Sequence, residues 1–221
     1  VDQVSAGHVR NAFCAVRPPG HHAEHDRSMG FCIFNNVAIA AEHLIREHGL
    51  ERVAIIDFDV HHGNGTQHIF EDRADVLYIS IHEHPQHLYP GTGFASETGR
   101  GPGEGTTINL PVLPGAGDDV YRRLFRQRVI PALDDFSPQV LLISAGFDAC
   151  KDDPLAHVEL SAEGFGWMTQ QLRDAAERHC GGRLISMLEG GYDLRSLAEC
   201  VAVHVGGLLG DAQHDHRGPG V

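Results

Sequence analysis

The fold of this chain is decided by residues 52–66, which read Arg-Val-Ala-Ile-Ile-Asp-Phe-Asp-Val-His-His-Gly-Asn-Gly-Thr. The apolar first half is typical of a buried strand in a parallel sheet. Asp57, Asp59 and His61 follow at two-residue spacing, so an extended backbone directs their side chains to one side. Because α/β sheets carry their sites at the C-terminal strand ends, and carboxylate and imidazole suit zinc, this stretch indicates half of a metal site. The alternative is that the two aspartates cap helices and the histidines lie in a polar loop.

The composition limits the class of protein. The chain has 221 residues, of which 42% are hydrophobic, and this is enough for one sizeable domain. A formal net charge of −13 argues against nucleic acid as a partner and is compatible with cationic substrates. Five widely spaced cysteines, without a C-x-x-C pair, indicate reduced thiols and a cytoplasmic protein. No apolar run is long enough to span a bilayer, so we expect no membrane partner.

Strand and helix signals alternate along the chain. Buried strands are predicted within 52–66 and at 11–16, 76–82, 107–111, 139–144 and 183–188. Helices are predicted at 37–48, 67–71, 118–135, 161–178 and 194–209, and Asn35 or Asn36 is expected to cap the first of them. This alternation predicts an α/β domain with a mostly parallel sheet over residues 1–210. Residues 211–221 are expected to form a frayed tail.

Polar side chains collect where four of the predicted strands end. Because the C-terminal ends of parallel strands lie on one edge of a sheet, these groups can converge there. They are His21 and His22, then Asp57, Asp59 and His61, then Asp148, and finally Tyr192.

Six motifs occur in a fixed order along the chain. They are Arg17-Pro-Pro-Gly-His-His-Ala23, Gly30-Phe-Cys32, Asp57-Phe-Asp-Val-His-His-Gly-Asn-Gly65, Tyr89-Pro-Gly-Thr-Gly93, Ser144-Ala-Gly-Phe-Asp148 and Glu189-Gly-Gly-Tyr192. Together they resemble the zinc-dependent histone deacetylase family, which includes the acetylpolyamine amidohydrolases. Asn64 and Glu189 are more similar to class II and bacterial members than to class I. The resemblance implies the three-layer arginase–deacetylase fold.

The resemblance also implies an activity and its catalytic residues. We expect a zinc-dependent amidohydrolase that acts on acetyl-lysine in proteins or on acetylated polyamines. One zinc ion per chain would be held by Asp59, His61 and Asp148, which leaves positions open for water and substrate. The implied catalytic residues are His21 and His22 as general base and acid, Asp57 and Asn64 as their respective partners, and Tyr192 as the oxyanion donor.

Two further groups of residues are implied by the same resemblance. The walls of an acyl-lysine tunnel would be formed by Gly30, Phe31, Tyr89, Leu155, Gly190 and Gly191, with the last two letting Tyr192 move. A structural potassium ion would be held by Asp57, Asp59, His61, Ser80 and Ile81. We expect His62 and His82 to be structural rather than ligands.

Two other functions stay open at this point. An arginase-like ureohydrolase shares the fold but needs carboxylates for a second metal, and no D-x-D motif follows at Asp148. A non-enzymatic acyl-lysine-binding protein is the second alternative, although Tyr192 and both paired histidines are intact. The resemblance also implies a further segment before the Arg17 motif, which we expect this domain to lack. We therefore expect an N-terminally incomplete domain whose exposed apolar surface favours a homo-oligomer.

Overall fold

The structure is a computed structural model that describes residues 1–210, so the predicted tail at 211–221 lies outside the described residues. Six strands form one sheet: β1 (Asn11–Cys14), β2 (Val53–Asp57), β3 (Val76–Glu83), β4 (Thr107–Val112), β5 (Val140–Ala145) and β6 (Leu184–Leu188). Their order across the sheet is β1-β6-β5-β2-β3-β4. Every neighbouring pair is parallel, so the sheet of the described chain is wholly rather than mostly parallel.

Helices cover both faces of this sheet. They are α1 (Asp2–Ser5), α2 (Asn36–Arg46), α3 (Asn64–Phe70), α4 (Asp118–Leu124), α5 (Ile130–Phe136), α6 (Ala162–Cys180) and α7 (Leu194–Leu209). One core packs α1, α2 and α3 against the sheet, and a larger core packs α4 to α7 against its other face. The predicted three-layer α/β architecture is therefore confirmed.

Strand β2 is apolar throughout because it contributes to both cores. Ala54 and Ile56 belong to the larger core, whereas Val53 and Ile55 belong to the smaller one. All four side chains are fully buried. Each buried isoleucine contributes about 2 kcal/mol of hydrophobic stabilisation, so this strand anchors the middle of the sheet.

The helix ends follow local sequence signals. The Asn35 side chain accepts a hydrogen bond from the Ala38 N–H, which confirms one of the two predicted caps of α2. Helix α3 begins at Asn64, three residues earlier than predicted. The helix predicted over 118–135 is interrupted by a π-helical turn at Phe125–Val129. Pro131, just beyond this turn, lacks an N–H and would crowd the carbonyl of Gln127, so the helix widens there.

The register of the strands brings the polar segments together. Asp57 of β2 pairs with Ser80 of β3 on one side and with Ser144 of β5 on the other. The segments that follow β1, β2, β5 and β6 therefore leave the sheet at one edge, and the histidine, aspartate and tyrosine motifs lie on them. Among residues 1–210, no helix has the length and apolar character needed to cross a membrane.

Candidate metal centre and catalytic site

Asp59, His61 and Asp148 converge at this edge of the sheet. All three are buried, and their ligand atoms lie within 4.8 Å of one another. The His61 Nδ1 atom is 3.1 Å from Asp59 Oδ1 and 3.0 Å from Asp148 Oδ2. Within residues 1–210 one other group has comparable ligand spacing, and it is partly exposed and consists of Asp2, His43 and His48.

The electrostatics of this cluster favour a bound cation. Burial works against a charge on His61, but the Asp148 and Asp59 carboxylates raise its pKa to about 10. Burial and the charge of Asp59 raise the pKa of Asp148 to about 6. Two buried carboxylates this close need a positive charge, which a proton on His61 can supply. A divalent metal ion would supply that charge through the same three atoms, so the donor set fits zinc.

Two glycines leave room for the carboxylates. A Cβ atom on Gly146 would overlap Asp59 Oδ2, and one on Gly190 would overlap Asp148 Oδ2. The Gly190 N–H also donates a hydrogen bond of 2.8 Å to Asp59 Oδ2. Gly190 therefore packs against two of the predicted ligands, whereas the resemblance implied that it forms part of the tunnel wall and lets Tyr192 move.

The paired histidines lie beside the cluster with different partners. His21 Nδ1 is 3.0 Å from Asp57 Oδ2, and His22 Nδ1 is 2.8 Å from Asn64 Oδ1. Their ring centroids are 4.1 Å apart. Asp57 therefore contacts His21 and Asp59 contacts His61, and neither aspartate caps a helix.

The two rings also differ in charge. Burial works against a charge on His21, but the Asp59 and Asp57 carboxylates raise its pKa well above its usual range. Burial and the neighbouring His21 lower the pKa of His22 to about 3. These shifts favour a charged His21 beside a neutral His22, and a neutral ring is suited to accept a proton.

A cavity of about 400 Å³ reaches His61 of the cluster from the surface. Its lining consists of His22, Gly30, Phe31, His61, Leu88, Tyr89, Leu155 and Tyr192. Leu88 lines the cavity although the sequence did not predict it there. Gly190 and Gly191 were expected to form part of the tunnel wall, but they do not line this cavity. A larger groove of about 1030 Å³ lies beside α2, but none of the three predicted ligands lines it, so the smaller cavity is the candidate site.

Tyr192 and Phe31 form one side of this cavity. Their ring centroids are 6.0 Å apart, and the Tyr192 ring is 6.5 Å from that of His61. Burial raises the pKa of the Tyr192 hydroxyl above its usual range, so this group stays a proton donor. Phe31 has a φ of 63°, a conformation that is rare for a bulky residue and is enriched at functional sites.

Sequence reasoning did not assign a role to Glu189. Its Oε2 atom accepts hydrogen bonds from the N–H groups of Gly20 and His21, at 2.6 and 3.1 Å. The Ser144 hydroxyl donates to its other oxygen at 3.0 Å. Burial raises the pKa of Glu189 to about 7, while the three donors favour its ionised form. This carboxylate holds the loop that carries the histidine pair. Its position at the end of a predicted buried strand is the sequence feature that could have indicated such a role.

Asp153 was also missed. Its Oδ2 atom accepts a hydrogen bond from the Tyr192 N–H at 2.7 Å, and its Oδ1 atom accepts one from the Leu155 N–H at 3.0 Å. One carboxylate therefore connects two residues that line the cavity from different loops. The Asp-Asp-Pro sequence at 152–154 is typical of a turn, but it does not indicate which backbone groups the turn contacts.

The remaining predicted residues lie close to these positions. Asp57 and Ser80 are register partners on adjacent strands, and Ile81 follows in β3. The His82 ring contacts Ser80 Oγ and the Gly93 carbonyl. The His62 ring contacts side chains of Thr92 and Gln67. Both nitrogens of each ring therefore have partners outside the cluster, which supports a structural role for the two histidines.

Comparison with known proteins gives consistent matches. The family model described as histone deacetylase domain matches residues 1–208. Histone deacetylase 14, chloroplastic, from Arabidopsis thaliana is 47% identical over 199 residues, which is 90% of this chain and 47% of that protein. Histone deacetylase-like amidohydrolase from Pseudomonas aeruginosa is 49% identical over 192 residues, which is 87% of this chain and 50% of that protein.

A solved structure matches as well. The crystal structure of the HDA15 HD domain superposes with a TM-score of 0.89 at 45% identity, covering 95% of this chain and 60% of that one. The chain spans about half the length of the two curated relatives named above.

Proposed function

Because the chain belongs to the histone deacetylase family, we propose that it hydrolyses the acetamide of acetyl-lysine in proteins or of acetylated polyamines, with one zinc ion per chain. The observation that carries the proposal is the cavity, whose lining includes His22 and Tyr192 together with His61 of the buried cluster of Asp59, His61 and Asp148. Among residues 1–210 this is the one buried three-ligand group, whereas a ureohydrolase would need a second metal position. The geometry therefore favours deacetylation over the arginase-like alternative.

The protein side chains would divide the chemistry between them. A zinc ion held by Asp59, His61 and Asp148 would polarise the acetyl carbonyl and make water more acidic. His22 lines the cavity and is neutral, so it would accept the proton of the attacking water and return it to the leaving amine. His21 would carry positive charge beside it, held in place by Asp57.

The cavity walls would select and orient the substrate. Phe31, Tyr89 and Leu155 present apolar surface that suits the methylene chain of an acetylated amine. The Tyr192 hydroxyl would donate a hydrogen bond to the oxygen that gains negative charge in the transition state. Both candidate substrates present the same acetamide on a flexible alkyl chain, so they would use the same groups.

Two accessory assignments belong to the proposal. A potassium ion would lie behind β2, with oxygens of Asp57, Asp59, His61, Ser80 and Ile81 as ligands, and the pairing of Asp57 with Ser80 supports this arrangement. A location in the cytoplasm also stays a prediction. It is supported by five cysteines that are all free.

The test combines metal analysis with two classes of substrate. We expect one zinc per chain by elemental analysis and turnover of a fluorogenic acetyl-lysine substrate that a chelator abolishes. Comparing kcat/KM for an acetylated peptide with that for acetylputrescine then identifies the substrate class. An acetylated peptide that binds without turnover would support the non-enzymatic alternative, and an active preparation without a transition metal would overturn the proposal.

A further inference from the structure

The Asn64 side chain lies between a catalytic histidine and an acidic residue. Its Oδ1 atom is 2.8 Å from His22 Nδ1, and its amide nitrogen donates a hydrogen bond of 2.5 Å to Glu24 Oε1. Asn64 is buried, and the Glu24 side chain is only 10% exposed. The three side chains therefore form a short hydrogen-bonded chain that begins at the cavity.

The direction of this chain follows from the chemistry of the groups. An amide presents an acceptor oxygen at one end and two N–H donors at the other, and rotation by half a turn exchanges the two. An ionised carboxylate only accepts hydrogen bonds, so Glu24 requires the amide nitrogen of Asn64 on its side. The Asn64 oxygen must then face His22. Since this oxygen is also only an acceptor, His22 Nδ1 must carry the ring proton.

The other neighbours of the amide exert weaker preferences. The Asn64 nitrogen lies 3.5 Å from the His22 carbonyl and 3.3 Å from the Met29 sulfur, both poorer contacts than the one with Glu24. On its outer side, Glu24 is held by His68, whose Nδ1 atom is 2.9 Å from both carboxylate oxygens. Glu24 is therefore fixed in place and is the strongest influence on the orientation of Asn64.

We propose that Glu24 is a positioning residue that orients the Asn64 amide and thereby fixes the tautomer of His22, leaving His22 Nε2 free to accept a proton. The inference rests on the proposed function for its catalytic meaning, but its structural content is independent of it. Without Glu24, only the weaker contacts with the His22 carbonyl and the Met29 sulfur would favour presenting the Asn64 oxygen to the ring. The carboxylate one hydrogen bond further away supplies the stronger preference.

The kinetic test compares the effect of Glu24→Gln on kcat in two backgrounds, the wild type and Asn64→Asp. Glu24→Gln lets either end of the new amide face Asn64, so we expect kcat to fall about tenfold, as for other residues that orient a ligand or base, with KM little changed. In an Asn64→Asp background, Glu24 would face a second carboxylate. There Glu24→Gln should raise kcat, because it replaces one of two repelling charges with a donor. Equal losses in both backgrounds would overturn the proposal.

A matched control separates this effect from general loss of charge. Asp26 belongs to the same loop, is exposed and lies two residues from Glu24. Asp26→Asn removes the same charge without touching the amide, so its kcat should equal that of the wild type. Thermal melts of all variants would show whether any loss of activity reflects unfolding.

A spectroscopic readout tests the inference without activity. Long-range ¹H–¹⁵N correlation spectra report which nitrogen of a histidine carries the proton, and the His22 signals can be assigned by their loss in His22→Phe. In metal-free protein we expect the Nδ1–H tautomer in the wild type and a mixture of tautomers in Glu24→Gln. An unchanged tautomer would refute the role of Glu24. Failure of the wild type to hydrolyse any acetamide would refute the proposed function instead.

Discussion

At the scale of single residues, the hydroxyl of Tyr192 is the clearest test of the catalytic arrangement. Tyr192→Phe keeps the ring beside Phe31 and His61 and removes only the donor. By analogy with other oxyanion donors, we expect kcat to fall about a hundredfold, with metal content unchanged. Steady-state kinetics combined with elemental analysis checks both halves of this prediction. Near-normal turnover would show that the hydroxyl does not stabilise the transition state.

Gly190 offers a test of the candidate metal centre in which none of the three predicted ligand residues is substituted. A Cβ atom at this position would overlap Asp148 Oδ2, so Gly190→Ala should displace that carboxylate. We expect zinc affinity to fall at least tenfold, as for other changes next to metal ligands, measured by competition with a chelator. Gly206→Ala is the matched control, because a Cβ atom there would meet no atom within 4 Å in α7. Equal zinc affinity in both variants would contradict the packing that places Gly190 against the ligands.

At the scale of secondary-structure elements, His204 joins α6, α7 and β6. Its ring nitrogens lie 2.7 Å from Thr169 Oγ1 and 2.8 Å from Ser186 Oγ, and burial lowers its pKa to about 4. The unfolded chain has a histidine pKa near 6.5 and so binds the proton first as pH falls. This contribution to stability is complete above pH 6.5 and is lost as pH falls towards 4.

The His204→Leu variant should therefore show a smaller loss of stability in acid. The shift of the histidine pKa corresponds to at most about 3 kcal/mol between the two pH values. Urea unfolding of wild type and variant at pH 7.5, 6 and 5 measures the difference in free energy of unfolding. The wild type should lose more stability over this range, and parallel losses in the two proteins would show that His204 does not titrate as inferred.

The elements also show which features the sequence could predict. The position of β2 and the helix caps can be predicted from nearby sequence, because they depend on burial and on groups a few residues apart. The roles of Glu189, Asp153 and Glu24 depend on contacts with residues far away in the sequence. Glu189 contacts Gly20, which lies 169 residues earlier, and Glu24 contacts Asn64 across 40 residues. No periodicity identifies such partners, since their pairing depends on where loops from different strands meet.

The same distinction applies within the candidate site. The spacing of Asp59 and His61 on one extended segment predicted that they share a side, and Asp148 was placed with them by the parallel sheet. The tunnel was harder to predict. Leu88 lies in the long loop after β3, and its position depends on how that loop folds back over the strand ends.

At the scale of the whole molecule, exposed apolar surface and net charge have opposite effects on self-association. Ile33, Phe34 and Ile39 are 59%, 69% and 56% exposed and line the groove beside α2. Exposed apolar residues grouped in one groove are typical of surfaces that bind another protein. A formal charge of −13 keeps copies of the chain apart at low ionic strength.

We therefore predict that the chain self-associates through this groove and that added salt increases the association, because salt screens the repulsion but not the apolar contact. Sedimentation velocity at low and high salt measures the mass of the particles. The double substitution Phe34→Ser with Ile39→Ser should keep the chain monomeric under conditions in which the wild type associates. Leu113→Ser removes another exposed apolar side chain, which is 66% exposed and lies outside the groove, so it should not alter association. If the double variant and the wild type sediment alike at every salt concentration, the groove is not the contact surface. If Leu113→Ser abolishes association as well, then total apolar exposure, rather than this groove, drives it.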